Sequence, residues 1–189
     1  MIRIAQDFAT LFNVLWYRDF PLAYKVKEAG RRAEWTTHIA VCVRSAADLL
    51  GYFTHFEAGT RTDAVIKDAT GQSIANVEWE WLQPSKSGFN EVEKLYAAKN
   101  SVKFSVLVTY SRDIHHDDNL RLLKKQWGKA SELLLAFIVR YEFSRGRNFG
   151  DLETYRIQNG AVKRIRHQPA LPWQRPDTRW ATSTADGES

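Results

Sequence analysis

TDAVI at residues 62–66 and ANVEWEW at residues 75–81 are the stretches from which the architecture of this chain can be worked out. Both are rich in β-branched or aromatic residues and predict short strands. Side chains alternate along a strand, so Glu78 and Glu80 should share one face. If the two strands pair, Asp63 can join that face. Three carboxylates this close repel one another unless a cation lies between them, and Mg²⁺ prefers such oxygen ligands.

The segments around these strands show helical or strand periodicity in a defined order. Asn159-Gly160 lies between two apolar runs and is a strong signal for a two-residue β-hairpin. Helices are predicted over 3–16, 22–29, 34–50, 90–99 and 117–130, and strands over 52–58, 62–68, 74–82, 102–110, 133–143, 152–157 and 161–165.

The composition is that of a folded protein with a moderate excess of positive charge. The chain has 189 residues, 44% of them hydrophobic, and a formal net charge of +5, which makes a polyanionic partner plausible. Its single cysteine, Cys42, lies within an apolar helical pattern and is expected to be a buried hydrophobe in a reducing cytosol. No stretch has the length of apolar sequence that a membrane span requires. We therefore expect a cytoplasmic protein without a membrane partner.

The order helix, strand, strand, strand, helix, strand over residues 34–110 resembles the core of the PD-(D/E)xK, or restriction-endonuclease-like, nuclease superfamily. Asp63 matches the first acid of the family motif and Glu78 the second, while Glu80 stands where a lysine is usual. Some restriction endonucleases of the superfamily carry glutamate at that position. The resemblance implies an α/β fold with a mixed central sheet flanked by helices.

The same resemblance implies a metal-dependent endonuclease that hydrolyses phosphodiester bonds in DNA with Mg²⁺ or Mn²⁺. Asp63 and Glu78 would hold the metal. Glu80 would be a further ligand, or would orient or deprotonate the attacking water in place of the lysine. The candidate accessory residues are Glu34, Glu57, Gln83 and Lys94.

Outside this core, two further groups of polar residues are candidates for function. The stretch HHDD at 115–118 could bind a metal or a phosphate, but adjacent histidines rarely face one metal, and we interpret it as a polar loop with a helix cap. Basic residues that could contact a nucleic-acid backbone without reading bases are Arg145, Arg147, Lys163 and Arg164. DNA is the favoured partner, and RNA is less favoured.

The length predicts a single domain over residues 1–168, which the resemblance implies is nuclease-like, with N-terminal helices at 3–29 and a C-terminal helix and strands at 117–166. The Pro-containing segment 169–189 is predicted to be a disordered or loosely draped tail. A homodimer is left open. Two rival functions also remain at this point: a catalytically inactive nuclease-fold domain that binds nucleic acid or a protein, and a small-molecule enzyme or binding module with an unrelated α/β fold.

Overall fold

The computed structural model describes residues 2–18, 20, 32–58, 62–144 and 147–175. Within these ranges the chain forms four α-helices and seven β-strands. The helices are α1 (Arg3–Arg18), α2 (Arg32–Leu49), α3 (Glu91–Ala98) and α4 (His116–Trp127). The strands are β1 (Phe53–Ala58), β2 (Thr62–Lys67), β3 (Ser73–Glu80), β4 (Phe104–Arg112), β5 (Leu133–Phe143), β6 (Arg147–Gln158) and β7 (Ala161–Pro169).

The seven described strands form one mixed sheet, in which the spatial order is the same as the chain order. The strands β1, β2 and β3 form an antiparallel meander, and so do β5, β6 and β7. The three central strands, β3 to β5, run parallel, and parallel neighbours need a crossover connection. Helices α3 and α4 lie in those crossovers. The predicted α/β class, the mixed sheet flanked by helices and the element order within 34–110 are confirmed.

Two apolar layers cover the sheet, one on each face. Helices α1 and α2 pack an aromatic-rich layer on one face, where the rings of Phe12 and Phe137 lie 4.2 Å apart. Helices α3 and α4 pack a smaller layer on the other face. Strand β5 has buried side chains in both layers, and this explains the continuous apolar run over residues 133–139. Its buried residues on the α1–α2 face are Leu133, Leu135, Phe137, Val139 and Tyr141, and those on the α3–α4 face are Leu134, Ala136 and Ile138.

The turn between β6 and β7 has the predicted two-residue form. Asn159 and Gly160 both have a positive φ, of 53° and 72°, as a type I′ hairpin turn requires. The flanking strands are longer than the predicted 152–157 and 161–165, because the register continues to the pair Asp151 and Pro169. The hairpin prediction is therefore confirmed, with extended strands.

The start of the predicted tail differs from the structure. Residues up to 175 pack on the protein: the indole N–H of Trp16 donates a hydrogen bond to the carbonyl oxygen of Ala170, at 2.8 Å. Trp173 packs against the aromatic layer, with its ring 5.6 Å from that of Phe20. Composition alone predicted a disordered or loosely draped tail from residue 169, whereas contacts with Trp16 and Phe20 order its first residues. Residues 176–189, and the helix predicted over 22–29, lie outside the described residues.

None of the described helices combines the length and the hydropathy that a membrane-spanning helix requires.

Candidate functional site

Asp63 and Glu78 lie opposite each other on neighbouring strands. The antiparallel register pairs Ala64 of β2 with Val77 of β3, and so places Asp63 across from Glu78. Residues directly opposite in an antiparallel pair project to the same face, with their Cβ atoms roughly 5 Å apart. The Asp63 carboxylate also accepts a hydrogen bond from the backbone N–H of Trp79, at 2.8 Å. Strand pairing thus brings two of the predicted acids together.

Helix α3 contributes a cation and a third carboxylate to this pair. The Nζ atom of Lys94 lies 3.4 Å from Oε2 of Glu78 and 3.5 Å from Oε1 of Glu91. The Glu78 side chain is only 1% exposed, whereas that of Lys94 is 39% exposed. The second carboxylate oxygen of Glu78, Oε1, is buried and has no hydrogen-bond partner. Glu78 is therefore a buried acid with incomplete compensation.

The protonation of the two acids follows from this environment. Burial, and next the charge of Asp63, raise the pKa of Glu78 to about 8. Burial also raises the pKa of Asp63, although the N–H of Trp79 and the charge of Lys94 oppose this. Burial opposes the charged form of Lys94 too, but Glu78 and Glu91 more than offset it and raise its pKa. The two acids therefore favour an additional positive charge beside them.

Glu80 has different neighbours from Glu78. Its Oε1 atom lies 3.3 Å from the guanidinium of Arg32 on α2 and accepts a hydrogen bond from the N–H of Leu82, at 3.0 Å. In the described part of the chain, no group of three or more His, Cys, Asp or Glu side chains is arranged to hold a metal ion. The role of Glu80 therefore stays a prediction.

The four residues predicted to assist the acidic site lie in different parts of the structure. Lys94 contacts Glu78, as described above. Gln83 is buried, and its side-chain oxygen accepts hydrogen bonds from the backbone of Arg112 and the side chain of Asn119, so it holds the loop after β3. Glu34 is exposed in the first turn of α2. Glu57 lies on β1 across from Asp63, with a left-handed φ of 50°.

A groove of about 400 Å³ lies between α2 and the strands β1 to β3. Asp63 belongs both to this groove and to the pair with Glu78. Small side chains of α2 form one wall, and aromatic side chains of β1 and β3 form the other. The lining residues used below are Thr36, Arg44, Phe56, Glu57, Asp63 and Trp79.

Two of the basic residues predicted to contact nucleic acid, Arg147 and Arg164, make internal contacts. The guanidinium of Arg147 lies 3.9 Å from the ring centroid of Trp81 and 4.7 Å from that of Tyr141, and donates to the carbonyl oxygen of Trp81. Burial lowers the pKa of Arg147. Arg164 pairs with Glu153 at 2.7 Å, while Lys163 is exposed on β7. Arg145 lies outside the described residues, so DNA contact stays a prediction for all four.

The HHDD stretch is not the capped polar loop that we predicted. His115 occupies the N-cap position of α4, where no side chain caps the helix. His116 is buried, and its Nε2 atom lies 3.0 Å from Oε2 of Glu153 and 2.9 Å from the hydroxyl of Tyr155. These contacts cross from α4 to β6, about 40 residues further along the chain, so no local sequence signal could reveal them.

Sequence reasoning also missed Glu91 and the buried cluster around Glu153. The i, i+3 spacing of Glu91 and Lys94 on a predicted helix was the available signal for the first. Glu153 is fully buried and contacts Arg140, Arg164, His116 and Tyr155. Burial opposes ionisation, but hydrogen bonds from His116, Tyr155 and Arg164 lower the pKa of Glu153 to about 2. This acid is therefore fully compensated.

The sequence matches no family model and no curated protein. Among solved structures it is similar to that of Pyrococcus furiosus SfsA in complex with Ca²⁺, with a TM-score of 0.41 and 15% identity over 65% of this chain. The match spans 66% of the SfsA chain, just under two thirds of it. A second similar structure is the YaeQ protein from Xanthomonas axonopodis pv. citri, with a TM-score of 0.24 and 10% identity over 61% of this chain and 69% of that one.

Proposed function

We propose that this protein is a metal-dependent endonuclease that hydrolyses phosphodiester bonds in DNA. One observation carries the proposal: Asp63 and Glu78 are neighbouring acids on paired strands, and the buried Oε1 of Glu78 lacks a hydrogen-bond partner. A buried polar atom without a partner is rare in folded proteins and needs an explanation. A cation beside these acids would supply one, in competition with a proton that Glu78 shares with Asp63.

The residues present fit Mg²⁺ or Mn²⁺ as the cation. Mg²⁺ commonly uses one or two protein carboxylates and completes its shell with water and substrate phosphate. Asp63 and Glu78 supply such a pair, and burial is the main reason that the pKa of each acid is raised, so a nearby cation would stabilise their ionised forms. When bound, the ion would make a water nucleophilic near neutral pH and offset charge on the phosphate.

The side chains around the pair have distinct proposed roles. Asp63 and Glu78 would bind the metal. Lys94 would place a protonated amine beside the scissile phosphate. Its exposure of 39% would leave it accessible to substrate. Glu80 remains the candidate for orienting the attacking water.

A polyanionic substrate is supported by the charge of the chain. The formal net charge is +5, and exposed basic residues of α2 and β7, among them Arg44 and Lys163, border the sheet. DNA remains the favoured substrate over RNA, and a homodimer remains open. The predicted backbone contacts of Arg145, Arg147, Lys163 and Arg164 belong to this proposal.

The second candidate function is a catalytically inactive nuclease-fold domain that binds nucleic acid or a protein partner. Two observations favour it. Glu78 is 1% exposed and already contacts Lys94, and Glu80 is held by Arg32 and a backbone N–H. These contacts would compensate part of the acidic charge without a metal. The inactive domain would bind DNA without cleaving it.

The deciding experiment is cleavage of labelled single-stranded, duplex and branched DNA, and of RNA, with Mg²⁺ or Mn²⁺. Wild type would be compared with Asp63→Asn, Glu78→Gln, Lys94→Met and Glu80→Gln, after circular dichroism has verified folding. The matched control is Glu93→Gln, because Glu93 is an exposed acid on the same helix as Lys94.

We expect metal-dependent cleavage by wild type and by Glu93→Gln, and its loss in Asp63→Asn and Glu78→Gln. Loss in Glu80→Gln would place that residue in the reaction, whereas full activity would remove it. Cleavage that survives both Asp63→Asn and Glu78→Gln would refute the proposed centre. DNA binding without cleavage by wild type would establish the inactive alternative.

A further inference from the structure

The groove between α2 and the strands β1 to β3 has the dimensions of a site for one small organic group. Its volume of about 400 Å³ lies within the range of roughly 300–1,000 Å³ that is usual for ligand pockets. The α2 wall remains open because Thr36, Thr37, Ala40 and Val41 have small side chains. A single nucleobase fits such a volume.

Two aromatic rings form the opposite wall. The rings of Phe56 and Trp79 are 6.4 Å apart, with an angle of 70° between their planes. Trp79 packs partly against the aromatic layer, but Phe56 remains 40% exposed. A large exposed aromatic residue beside a groove offers the flat apolar surface on which nucleobases stack.

Polar groups surround the aromatic wall. The hydroxyls of Thr36 and Thr37 can donate to or accept from a base edge, and the carboxylate of Glu57 can accept from an exocyclic amine. Arg44 lies two turns along α2 from Thr36 and Thr37, and among the described residues its guanidinium forms no ion pair. It is therefore a cation available to a phosphate.

The groove is adjacent to the acidic pair because Asp63 belongs to both. A nucleotide whose base lies between α2 and Phe56 would have its own backbone near Asp63, the acid that borders the groove. A base can enter only after it has left a duplex stack, so the groove selects for strands that are unpaired at this point.

We propose that this groove binds one unpaired nucleobase of a nucleic-acid strand, with Phe56 as its stacking surface. The inference deepens the proposed function, on which it rests for the nature of the substrate. It names the substrate class as single-stranded segments, flaps or frayed ends, rather than continuous duplex.

The test measures binding separately from cleavage. A fluorescently labelled single-stranded oligonucleotide and a blunt hairpin duplex would be titrated with Glu78→Gln protein in EDTA, so that no cleavage occurs. Phe56→Ala would be introduced into that background. The matched control is Phe53→Ala, because Phe53 is an exposed aromatic residue on the same strand, 57% exposed, and does not line the groove. Ala40→Leu would fill the groove without removing the ring.

We expect Phe56→Ala and Ala40→Leu each to weaken single-strand binding about tenfold, the amount that one stacked base contributes. Duplex binding, and binding by Phe53→Ala, should stay within about twofold of the parent. Unchanged single-strand affinity in both groove variants would overturn the inference. So would an equal loss for single strand and duplex, which would indicate a general change in the fold or in charge.

The result is distinguishable from that of the cleavage experiment. If wild type cleaves duplex as well as single-stranded DNA and Phe56→Ala is neutral, the nuclease proposal stands and the groove inference fails. If wild type cleaves nothing while the groove variants lose single-strand binding selectively, the inference stands and the nuclease proposal fails.

Discussion

Glu78 and Glu153 are both buried glutamates on the face of the sheet covered by α3 and α4, but their surroundings are opposite in kind. Glu153 is 0% exposed and contacts two arginines, a histidine and a tyrosine hydroxyl. Glu78 is 1% exposed and contacts one lysine, while a second acid lies beside it and one of its oxygens has no hydrogen-bond partner. The pKa of Glu153 is lowered to about 2, and that of Glu78 is raised to about 8.

This difference separates a structural acid from a candidate functional one. A buried charge costs a large desolvation free energy, which Glu153 recovers through its partners. Glu78 recovers only part of this free energy. A positively charged ligand beside it would therefore stabilise its ionised form. Perturbed acids of this second kind are enriched at functional sites.

The largest expected effect is the loss of stability on replacing Glu153. In Glu153→Gln, Arg140, Arg164 and His116 lose their shared carboxylate, and we expect the free energy of unfolding to fall by about 3–5 kcal/mol. Urea denaturation monitored by tryptophan fluorescence measures this. The control is Glu142→Gln, because Glu142 is exposed on β5. A decrease in the free energy of unfolding of less than about 1 kcal/mol would show that the contacts of Glu153 do not stabilise the fold.

The next effect is the pH dependence of the free energy of unfolding, to which Glu78 and Glu153 contribute with opposite signs. The pKa of Glu78 is raised from 4.5 to about 8, so the folded state holds a proton that the unfolded chain releases. Without metal, stability should therefore fall as pH rises from 4.5 to 8. The pKa of Glu153 is lowered, so its contribution is present above pH 4.5 and is lost as pH falls towards 2.

Equilibrium unfolding across this pH range, with EDTA present, tests the signs. We expect the decline between pH 4.5 and 8 to be a few kcal/mol in wild type and to be much smaller in Glu78→Gln, because the amide has no proton to lose. A flat wild-type profile over this interval would place Glu78 in a better-compensated site than its contacts indicate.

A third, smaller effect is the stabilisation of the folded protein by a metal ion bound to Asp63 and Glu78. At ten times its dissociation constant, Mg²⁺ should raise the free energy of unfolding by about 1.4 kcal/mol. Thermal unfolding with increasing Mg²⁺ measures the rise, which should vanish in Asp63→Asn and persist in Glu93→Gln. A rise of equal size in Asp63→Asn would assign the metal to another part of the protein.

The smallest effect concerns the backbone next to Asp63. Glu57 has a φ of 50°, a conformation that glycine adopts without a steric penalty. We expect Glu57→Gly to stabilise the protein by about 0.5–1 kcal/mol and Glu57→Ala to give no gain. Differential scanning calorimetry of the two variants compares them. Equal stability of both would show that the left-handed conformation carries no strain.

Local periodicity was sufficient to predict most secondary structure. Strand β5 was predicted at its observed limits, 133–143, and its first seven residues, which are buried, are all apolar. The pairing of β2 with β3, and with it the contact of Asp63 and Glu78, followed from two short strands joined by a tight turn. Misplaced boundaries, such as the tail predicted from residue 169, lie where contacts with distant elements decide order.

What the sequence determined by itself is therefore the order of elements, the α/β class and the identity of one acidic pair, because each depends on short-range patterns. Tertiary structure decided which charges are compensated. Lys94 reaches Glu78 across 16 residues, and Arg140, Arg164 and His116 converge on Glu153 from three separate elements. Burial and distance set the energy of a charge, and both arise only when helices pack on the sheet.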